Sequence, residues 1–331
     1  MSRKPNLKDV AKVAGVSAIT VSRALSDPDK VSEKLRAKVE MAVRQTGYIR
    51  NQAASALASS RSGVIGVIIP SLSNIVFNEV LAGIYEMAQP SKLQVLLGDC
   101  HYSPLEEEKL LATLLSQSPE GLILTGTDQT DHARRLLQNA EIPIVQIMEL
   151  TDSPIDMNVG FSHFQAGFDM TRYLLAKGYR RVAFLGARMD PRTQQRLAGF
   201  SQAMADAGLE PLVQSTPQAS SIKLGGQLLR SALSGNQGQL DAVFCCNDDL
   251  ALGALFEARR MNINVPGQLA ICGFNDLEAS ALVEPAITSV AVSRFEMGKT
   301  AVQMLLKPEQ YRHQGGGIID LGFNIVGRAS A

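Results

Sequence analysis

Apolar positions divide this chain into two parts that differ in periodicity. From Leu7 to about Gly47 they recur every three or four residues, a spacing that predicts short amphipathic helices. From Val64 onward, short continuous apolar runs alternate with amphipathic stretches such as 77–87 and 107–115. Such runs predict strands of parallel sheets that helices cover on both faces. The pattern therefore predicts a small all-α head followed by an α/β body.

The size of the body bears on how many sheets it holds. It extends over about 270 residues, which exceeds what one doubly covered sheet needs. Two similar lobes, each with a parallel sheet, are the economical interpretation. The predicted strands are VIGVII, LQVLLGD, GLILTG, IPIVQIM, MNVGF, RVAFLG, AVFCCN, LAICGFN and TSVAV.

Turn and cap residues place three helices in the head. Gly15 can adopt the positive φ of a tight turn, and Ser17 is suited to cap a second helix that runs to about Leu25. A third helix is predicted from Ser32 to Gly47. Two short helices joined by a glycine turn and braced by a third are typical of a helix-turn-helix.

Charge is distributed unevenly, although the net charge of the 331 residues is zero. Residues 1–62 contain 12 Lys or Arg against five Asp or Glu, a net charge of +7, and the remainder carries −7. A basic head on an acidic body indicates that the head alone meets a polyanion such as DNA. The alternative on charge alone is a solvated basic surface without a partner.

The second helix of the head presents residues suited to the major groove of DNA. Hydroxyls at its start can bond phosphate oxygens, arginine can pair with guanine O6 and N7, and Ala18 and Ile19 can contact thymine methyl groups. An ordinary three-helix bundle would explain Ser17 as a cap but would leave Ile19 and Arg23 unexplained. The predicted DNA-binding residues of this helix are Ser17, Ala18, Ile19, Thr20, Ser22 and Arg23.

An alanine- and serine-rich segment, YIRNQAASALASSRSG, separates the head from the body. It is too short to be a stable helix by itself, so it is either a flexible linker or a helix that forms only under certain conditions. In the second case, Leu57 could wedge between base steps in a minor groove. Composition leaves both interpretations open.

Several protein classes lack their sequence signatures here. The chain has no G-x-S-x-G turn with a Ser, His and acid trio, no phosphate-binding G-x-x-x-x-G-K-[ST] loop, and in GFSHFQAG no dinucleotide fingerprint. Its four cysteines lack the spacing of a disulfide scaffold or a zinc site, so we expect buried reduced thiols, no metal and no cofactor. Without an apolar leader or a long apolar run, we expect a cytoplasmic protein that crosses no membrane.

Ligands of open parallel sheets bind beyond the carboxyl ends of the strands, so the residues that follow each predicted strand are candidate contacts. These residues are mostly hydrogen-bonding groups, which suits a small polyhydroxylated ligand. They are Ser71, Asn74, Phe77, Asp99, Thr125, Ser162, His163, Arg188, Asp190, Asn247, Asp248, Asn275 and Asp276.

Three segments carry a family likeness: LKDVAKVAGVSAITVSRALSDPDKVS, GYIRNQAASALASSRSGVIGVIIPSLSN and FCCNDDLALGALFEARRMNINVPGQLAICGFND. They resemble the LacI/GalR family of bacterial transcriptional regulators, and the similarity extends over essentially the whole chain. GVIIPSLSNIVF and AFLGARMDPRT are most similar to the branch of gluconate and idonate repressors. The resemblance implies a ligand-responsive, allosteric repressor that is not an enzyme.

The domain organisation follows from the same resemblance. It implies a helix-turn-helix domain at 1–50, a hinge helix at 51–62 and a periplasmic-binding-protein-like body at 63–331. It assigns about 63–161 and 293–325 to lobe one and about 162–290 to lobe two.

The resemblance also implies which residues contact operator DNA. Ala18, Ile19 and Arg23 fall where family members read bases, and Asn51 and Leu57 match a hinge helix that inserts at the centre of a palindromic operator. Because the carboxyl terminus, GFNIVGRASA, has no leucine heptads, we expect a homodimer on double-stranded operator DNA.

The resemblance also implies, residue by residue, which side chains bind the effector. Arg196 falls where family members hold an arginine against ligand hydroxyls or a carboxylate, and Arg294 would be a second cation at the mouth of the cleft. Ser162 and His163 stand where many members carry Asp-Asn, and Asn275 stands where others carry an aspartate, so the cleft has fewer carboxylates. The predicted effector-binding residues are Ser71, Phe77, His163, Gln165, Arg192, Arg196, Asn247, Asn275 and Arg294.

The chemistry of arginine narrows the class of effector. Since arginine pairs bidentately with carboxylates, a sugar acid is a more natural ligand than a neutral sugar. We therefore expect gluconate, a ketogluconate or a phosphorylated derivative.

Two functions of other classes are also compatible with the sequence. One is an α/β enzyme that acts on sugar acids or sugar phosphates and has an accessory basic head, although it would lack a nucleophile, a phosphate loop and a metal cluster. The other is a sugar-binding module whose head binds nucleic acid without sequence preference. A palindromic footprint on DNA would appear only for a specific repressor.

Overall fold

Packing contacts divide the protein into two units, residues 1–62 and 63–331. The structure is a computed structural model that describes residues 3–49, 62–235, 239–313 and 315–331. Within residues 3–49, the head consists of the helices α1 (Leu7–Ala14), α2 (Ala18–Ser26) and α3 (Glu33–Thr46), with a 3₁₀ turn at Pro28–Lys30.

Capping residues explain where the helices of the head begin and end. Asn6 and Asp9 form a reciprocal capping box at the start of α1, and Gly15, with φ of 58°, ends α1 in the left-handed conformation. The Ser17 hydroxyl accepts a hydrogen bond from the backbone N–H of Thr20 at 3.1 Å. These caps let α1 and α2 meet at a sharp turn, and the predicted helix-turn-helix is confirmed.

Small aliphatic side chains form the core of the head. Val10, Ala14, Val21, Ala24 and Val39 are each at most 5% exposed. Because these side chains are short, the three helices pack closely, and the outer face of α2 is not needed for the core.

The body alternates helices and strands, as predicted. Its helices are α4 (Val76–Ala88), α5 (Pro104–Leu115), α6 (Asp131–Gln138), α7 (His163–Ala176), α8 (Pro191–Asp206), α9 (Ile222–Gly235), α10 (Asp248–Arg260), α11 (Glu278–Leu282), α12 (Arg294–Leu306) and α13 (Pro308–His313). Its strands are β1 (Val64–Ile69), β2 (Gln94–Asp99), β3 (Gly121–Thr125), β4 (Ile144–Ile147), β5 (Met157–Gly160), β6 (Val182–Ala187), β7 (Leu212–Thr216), β8 (Ala242–Cys245), β9 (Ala270–Asn275), β10 (Thr288–Val292), β11 (Ile318–Asp320) and β12 (Phe323–Val326).

In the described part of the body, these strands form two sheets of six strands, one for each lobe. The sheet of lobe one has the order β11-β5-β4-β3-β1-β2 and is parallel. The sheet of lobe two has the order β12-β10-β9-β8-β6-β7, in which β12 alone is antiparallel to its neighbour. The inner strands β1, β3, β8 and β9 are buried along their whole length, as strands covered on both faces must be. The predicted two-lobed α/β fold is confirmed.

The lobe boundary near the carboxyl terminus differs from the expectation. The resemblance assigns 293–325 to lobe one, but β12 pairs with β10 in the sheet of lobe two. After β11 completes the edge of the first sheet, the chain crosses to the second sheet at 321–322. Residues 323–325 therefore belong to lobe two, and β10 extends that lobe to Val292 rather than to 290.

Glycines let neighbouring helices of the body touch backbone to backbone. Helices α7 and α8 meet at Gly167 and Gly199, where an added Cβ would lie under 3.0 Å from backbone atoms of the partner helix, including those of Arg196. Real Cβ atoms do not approach that closely, so this crossing requires glycine on both helices. The same reciprocal arrangement recurs at α4–α12 through Gly83 and Gly298, and at α9–α10 through Gly225 and Gly253.

Candidate functional site

The exposed face of α2 carries three of the residues that are predicted to bind DNA. The Ile19 side chain is 74% exposed, and Ser22 and Arg23 are exposed beside it at i+3 and i+4 spacing. Arg23 forms no ion pair with any described residue, whereas Arg36 on α3 pairs with Glu40. A large exposed apolar side chain next to an unpaired cation suits base contact in a major groove.

Three further predicted contacts lie at the start of α2. The hydroxyls of Ser17 and Thr20 are 2.8 Å apart and share a hydrogen bond, and each retains capacity to bond a phosphate oxygen. Ala18, predicted to contact thymine methyl groups, is partly buried against the core of the head. Any base contact of Ala18 is therefore limited to the exposed part of its methyl group.

The hinge predicted at 51–62 falls almost entirely outside the described residues. Asn51 and Leu57, its two predicted DNA contacts, both lie there. Their role in a hinge helix stays a prediction based on the resemblance.

A cavity of about 130 Å³ lies between the two lobes, where strands β1, β6, β8 and β9 end. This is the position at which ligands of parallel sheets bind. We call it the effector cleft. It brings together six of the predicted effector-binding residues: Ser71, Phe77, Arg192, Arg196, Asn247 and Asn275.

Arg196 is held rigidly in the wall of the effector cleft. The residue is 7% exposed, and its Nη1 donates a hydrogen bond of 2.5 Å to the backbone carbonyl of Cys246. Its guanidinium carbon lies 3.8 Å from the centre of the Phe274 ring, close enough for a cation–π interaction. Burial lowers the pKa of Arg196, but arginine stays charged at any ordinary pH. A fixed cation of this kind is suited to bind a carboxylate.

His163 supports Arg196 from behind and does not line the cleft, contrary to the prediction. Arg196 Nε donates to His163 Nδ1 at 3.2 Å, so the ring proton resides on Nε2, which donates to the Met148 carbonyl at 3.1 Å. Burial lowers the pKa of His163 well below its usual value, and the ring packs 4.3 Å from the Phe161 ring. The first residue of α7 points into the protein, and His163 therefore positions the arginine instead of touching ligand.

Two more arginines reach the cleft from the loop before α8 and from its first turn. The Arg188 guanidinium carbon lies 3.7 Å from the centre of the Tyr102 ring, a contact that joins lobe two to lobe one. Arg192 is buried, which opposes its charge, but the carboxylates of Asp190 and Glu149 raise its pKa. With Arg196, they give the cleft three cations against the lining carboxylates Asp190 and Asp249.

Two amide side chains supply neutral donors and acceptors. Asn247 Oδ1 accepts from the backbone N–H of Leu250 at 3.1 Å, as the cap of α10, and from the Ser220 hydroxyl at 2.9 Å. Its side-chain NH₂ then offers donors to a ligand. Asn275 adopts φ of 107°, a strained conformation for a residue other than glycine, at the point where β9 meets the cleft.

Two other predicted residues are not part of the cleft. Gln165 is exposed on α7 and its Nε2 donates to Asp169 at 2.9 Å, because helical geometry turns it away from the strand ends. Arg294, at the start of α12, is 4% exposed and paired with Glu79 at 3.1 Å, and it also donates to the Asn275 carbonyl. Arg294 therefore supports the backbone of Asn275 and is no free cation at the mouth.

The expectation that residues just beyond the strands contact the ligand selects some residues that point away from the cleft and misses others that line it. Asp248 follows β8 but is fully buried, with its carboxylate accepting from the Ser289 hydroxyl and the Leu277 backbone. Asp99, Thr125, Ser162 and Asp276 also lie outside the cleft lining. The cleft includes residues that the sequence reasoning did not select: Ser73, Val76, Tyr102, Met148, Ala187, Thr193, Ser220 and Asp249. Tyr102 lies three residues beyond the end of β2, closer to its strand than Asn74 is to the end of β1, so its position along the chain could have identified it.

The described residues also bear on metals, thiols and membranes. Among them, no cluster of three His, Cys, Asp or Glu side chains is arranged to hold a metal ion. Cys100, Cys245, Cys246 and Cys272 are buried free thiols, and burial raises the pKa of Cys246 to about 11. None of the described helices combines the length and apolarity needed to span a bilayer.

Comparison with known proteins supports both units. Residues 6–51 match the family described as bacterial regulatory proteins, lacI family, and residues 171–330 match a periplasmic binding protein-like domain. The HTH-type transcriptional regulator GntR of Pseudomonas aeruginosa is 44% identical over 99% of this chain and 96% of its own length. The HTH-type transcriptional regulator IdnR of Escherichia coli K12 is 38% identical over 97% and 96%, respectively. The solved Lac repressor dimer bound to operator and the anti-inducer ONPF has a TM-score of 0.84, at 26% identity over 99% of both chains.

Proposed function

The chain belongs to the LacI family of bacterial regulatory proteins, and we propose that a sugar acid of the gluconate type is its effector. Like its relatives, it is a DNA-binding transcriptional repressor and not an enzyme. LacI-family regulators bind operator DNA and small-molecule effectors and work as dimers. The proposal includes a homodimer of this chain on a palindromic operator in the cytoplasm.

The observation that carries the effector proposal is the fixed cation Arg196 in the effector cleft. Its hydrogen bonds to Cys246 and His163 and its contact with Phe274 fix the direction in which the guanidinium presents its remaining donors. A carboxylate that accepts from these donors forms charge-assisted hydrogen bonds, which are stronger than bonds to a neutral hydroxyl. The similarity to GntR and IdnR supports the same class of ligand.

The rest of the cleft suits the hydroxyl groups of such a ligand. Ser71, Ser220 and the amides of Asn247 and Asn275 provide donors and acceptors, and Phe77 provides an apolar wall. These groups come from both lobes, so a ligand bound among them favours one arrangement of the lobes. We infer that this preference changes operator affinity through the segment at 51–62, because a ligand shifts an equilibrium by its differential affinity for two states.

Titration calorimetry of the full chain with gluconate and with glucose tests the class of effector. The two molecules have the same number of carbons, and gluconate alone carries a carboxylate. We expect gluconate to bind at least about tenfold more tightly, because one charge-assisted contact to a buried arginine corresponds to that ratio or more. Equal binding of both, or preference for glucose, would refute the sugar-acid proposal and leave the DNA-binding function intact.

Replacing Arg23 tests base reading by the head. A preferred operator is first selected from a pool of random duplexes with the wild-type protein. Arg23→Ala will weaken binding to that operator by roughly 1–3 kcal/mol and relax the base preference at one position in each half-site, because a bidentate arginine–guanine contact is lost. Fluorescence anisotropy and a repeated selection measure both effects.

Arg44→Ala is the matched control for Arg23→Ala. Arg44 is exposed on the last turn of α3 and carries the same charge, so its loss changes the electrostatic attraction of the head without removing a base contact. We expect the selected sequence to be unchanged in this variant. If the Arg44→Ala variant selected a relaxed operator sequence and the Arg23→Ala variant selected the wild-type sequence, base reading would have to be assigned to a different surface of the head.

A further inference from the structure

Three crossings connect the two lobes, and all of them leave strands at one edge of each sheet. The chain crosses after β5, after β10 and between β11 and β12. Strands β11 and β5 lie at one edge of the first sheet, and β12 and β10 lie at one edge of the second. A rotation of the lobes about these crossings separates them most at the opposite edges, where β2 and β7 lie.

Arg188 and Tyr102 meet at the side of the effector cleft that is far from the crossings. Tyr102 follows β2, the edge strand of the first sheet, and Arg188 follows β6, the neighbour of the edge strand β7 in the second. The guanidinium carbon of Arg188 lies 3.7 Å from the centre of the Tyr102 ring. Cation–π contacts extend to about 6 Å, so the two side chains are stacked at close range. The contact therefore joins the lobes where a hinge motion would part them most.

The Tyr102 ring is the principal partner of the Arg188 side chain. Among the described residues, the guanidinium of Arg188 makes no ion pair and no hydrogen bond, whereas that of Arg196 donates to the carbonyl of Cys246. Arg188 is half-buried, and a cation–π contact gains strength where water is partly excluded. The stacked pair is therefore suited to hold the two lobes together.

The loop that carries Tyr102 is held in a strained conformation by lobe one itself. His101 and Tyr102 have φ of 51° and 58°, values that residues other than glycine rarely adopt. The Asp99 carboxylate accepts from the backbone N–H of His101 at 3.0 Å, and the backbone N–H of Tyr102 donates to the Pro70 carbonyl at 3.1 Å. The Tyr102 hydroxyl accepts from Asn74 Nδ2 at 2.7 Å. These bonds fix the ring at the edge of the cleft.

The loop that carries Arg188 is strained in the same way and is held by lobe two. Arg188 and Met189 have φ of 64° and 53°. The backbone N–H of Arg188 donates to the Gln218 carbonyl at 2.7 Å, and Gln194 Nε2 donates to the Met189 carbonyl at 2.7 Å. Strained backbone of this kind persists at clamps and switches, where the surrounding structure enforces it. Each lobe thus fixes its own half of the contact, so little order is lost when the halves meet.

We propose that Arg188 and Tyr102 form a latch that holds the lobes together opposite the crossings, and that release of this latch opens the effector cleft. Both side chains line the cleft, so the latch controls the side on which a ligand enters or leaves. The link to effector exchange rests on the proposed function. The latch itself is a property of the protein without a ligand.

Distances between two spin labels test the latch in the ligand-free full chain. Lys109→Cys on α5 of lobe one and Gln202→Cys on α8 of lobe two provide exposed thiols, and the native thiols are buried. Pulsed electron paramagnetic resonance then gives the distribution of distances between the lobes. Arg188→Met and Tyr102→Leu will each raise the ratio of open to closed molecules about threefold or more, because a cation–π contact is lost.

Three further variants separate the latch from other effects of these changes. The double variant of Arg188→Met and Tyr102→Leu should open the lobes no further than either single variant, because both remove the same contact. Tyr102→Phe loses the bond to Asn74 but keeps the ring, and should keep the wild-type distribution. Arg172→Met is the matched control, because Arg172 lies 5.9 Å from the centre of the Phe168 ring within lobe two, and it should change nothing.

Dissociation of gluconate tests the link between the latch and the effector cleft. Surface plasmon resonance with the immobilised full chain measures the dissociation rate. We expect gluconate to leave Tyr102→Leu about threefold or more faster than the wild type, because a cleft without the latch opens more often. Tyr102→Phe should release gluconate at the wild-type rate.

Each measurement can overturn the inference separately. Unchanged distances in Arg188→Met and Tyr102→Leu, additive opening in the double variant, or opening by Tyr102→Phe equal to that by Tyr102→Leu would refute the latch. Equal dissociation of gluconate from Tyr102→Leu and the wild type would refute its control of the cleft. Absence of gluconate binding to the wild type would remove the proposed function, and the label distances would still decide whether the latch exists.

Discussion

An Arg196→Met variant will keep its affinity for operator DNA and lose about a hundredfold or more of its affinity for gluconate. The wild-type guanidinium is buried, charged and fixed by Cys246, His163 and Phe274. Methionine is of similar length and can pack against the Phe274 ring, so the fold is retained. It has no N–H group, so the carboxylate of the ligand would be desolvated without a partner.

Calorimetry with gluconate and anisotropy with operator DNA measure the two affinities of the Arg196→Met variant. Arg259→Met is the matched control, because Arg259 is exposed on the last turn of α10 and far in sequence from the cleft residues of α8. Its gluconate affinity should equal that of the wild type. If Arg196→Met bound gluconate as well as the wild type, the carboxylate would have to be held elsewhere in the cleft, for instance by Arg188.

Replacing Gly199 by alanine will destabilise the body by about 3 kcal/mol or more, which is at the upper end for overpacking a core. The added Cβ would lie under 3.0 Å from backbone atoms of Phe164 and Phe168 on α7, and backbone cannot move aside as a flexible side chain can. Helices α7 and α8 would have to separate. Because α8 carries Arg196, we also expect weaker gluconate binding. Urea denaturation followed by circular dichroism measures the loss.

Gly235→Ala is the control for a glycine-to-alanine change in a helix of the same body. Gly235 is the last residue of α9, and among the described residues no atom lies within 4 Å of the position of an added Cβ. Alanine there should leave stability unchanged or raise it by up to about 1 kcal/mol, since alanine has the higher helix propensity. Equal stability of the Gly199→Ala and Gly235→Ala variants would contradict the close packing of α7 and α8.

The sequence predicts those parts of the fold that depend on local rules. Gly15 and Ser17 determine where α1 ends and α2 begins, and continuous apolar runs mark the inner strands of both sheets. The strands that the pattern missed, β7, β11 and β12, lie at the edges of the sheets and are partly exposed. An edge strand lacks the continuous apolar run of an inner strand. Because β11 and β12 were not predicted, the point at 321–322 where the chain crosses from the first sheet to the second could not be located.

The effector cleft could be predicted less completely, because position along the chain does not fix the direction of a side chain. Asn247 and His163 both lie where a helix begins, yet Asn247 lines the cleft and His163 is buried behind Arg196. Arg294 was selected for its charge, but it is paired with Glu79 and with a backbone carbonyl. Which cations are already paired is decided by contacts between residues far apart in sequence, and these appear only in three dimensions.

Different turns of helix α8 have different functions. Its first two turns carry Arg192 and Arg196, and the following turn carries Gly199, which joins the helix to α7. Ligand preference and structural integrity thus depend on different positions of one rigid element. A gene duplicate could acquire a new metabolite signal by exchanging side chains in the early turns, while the helix, its neighbour and the DNA-binding head stay as they are.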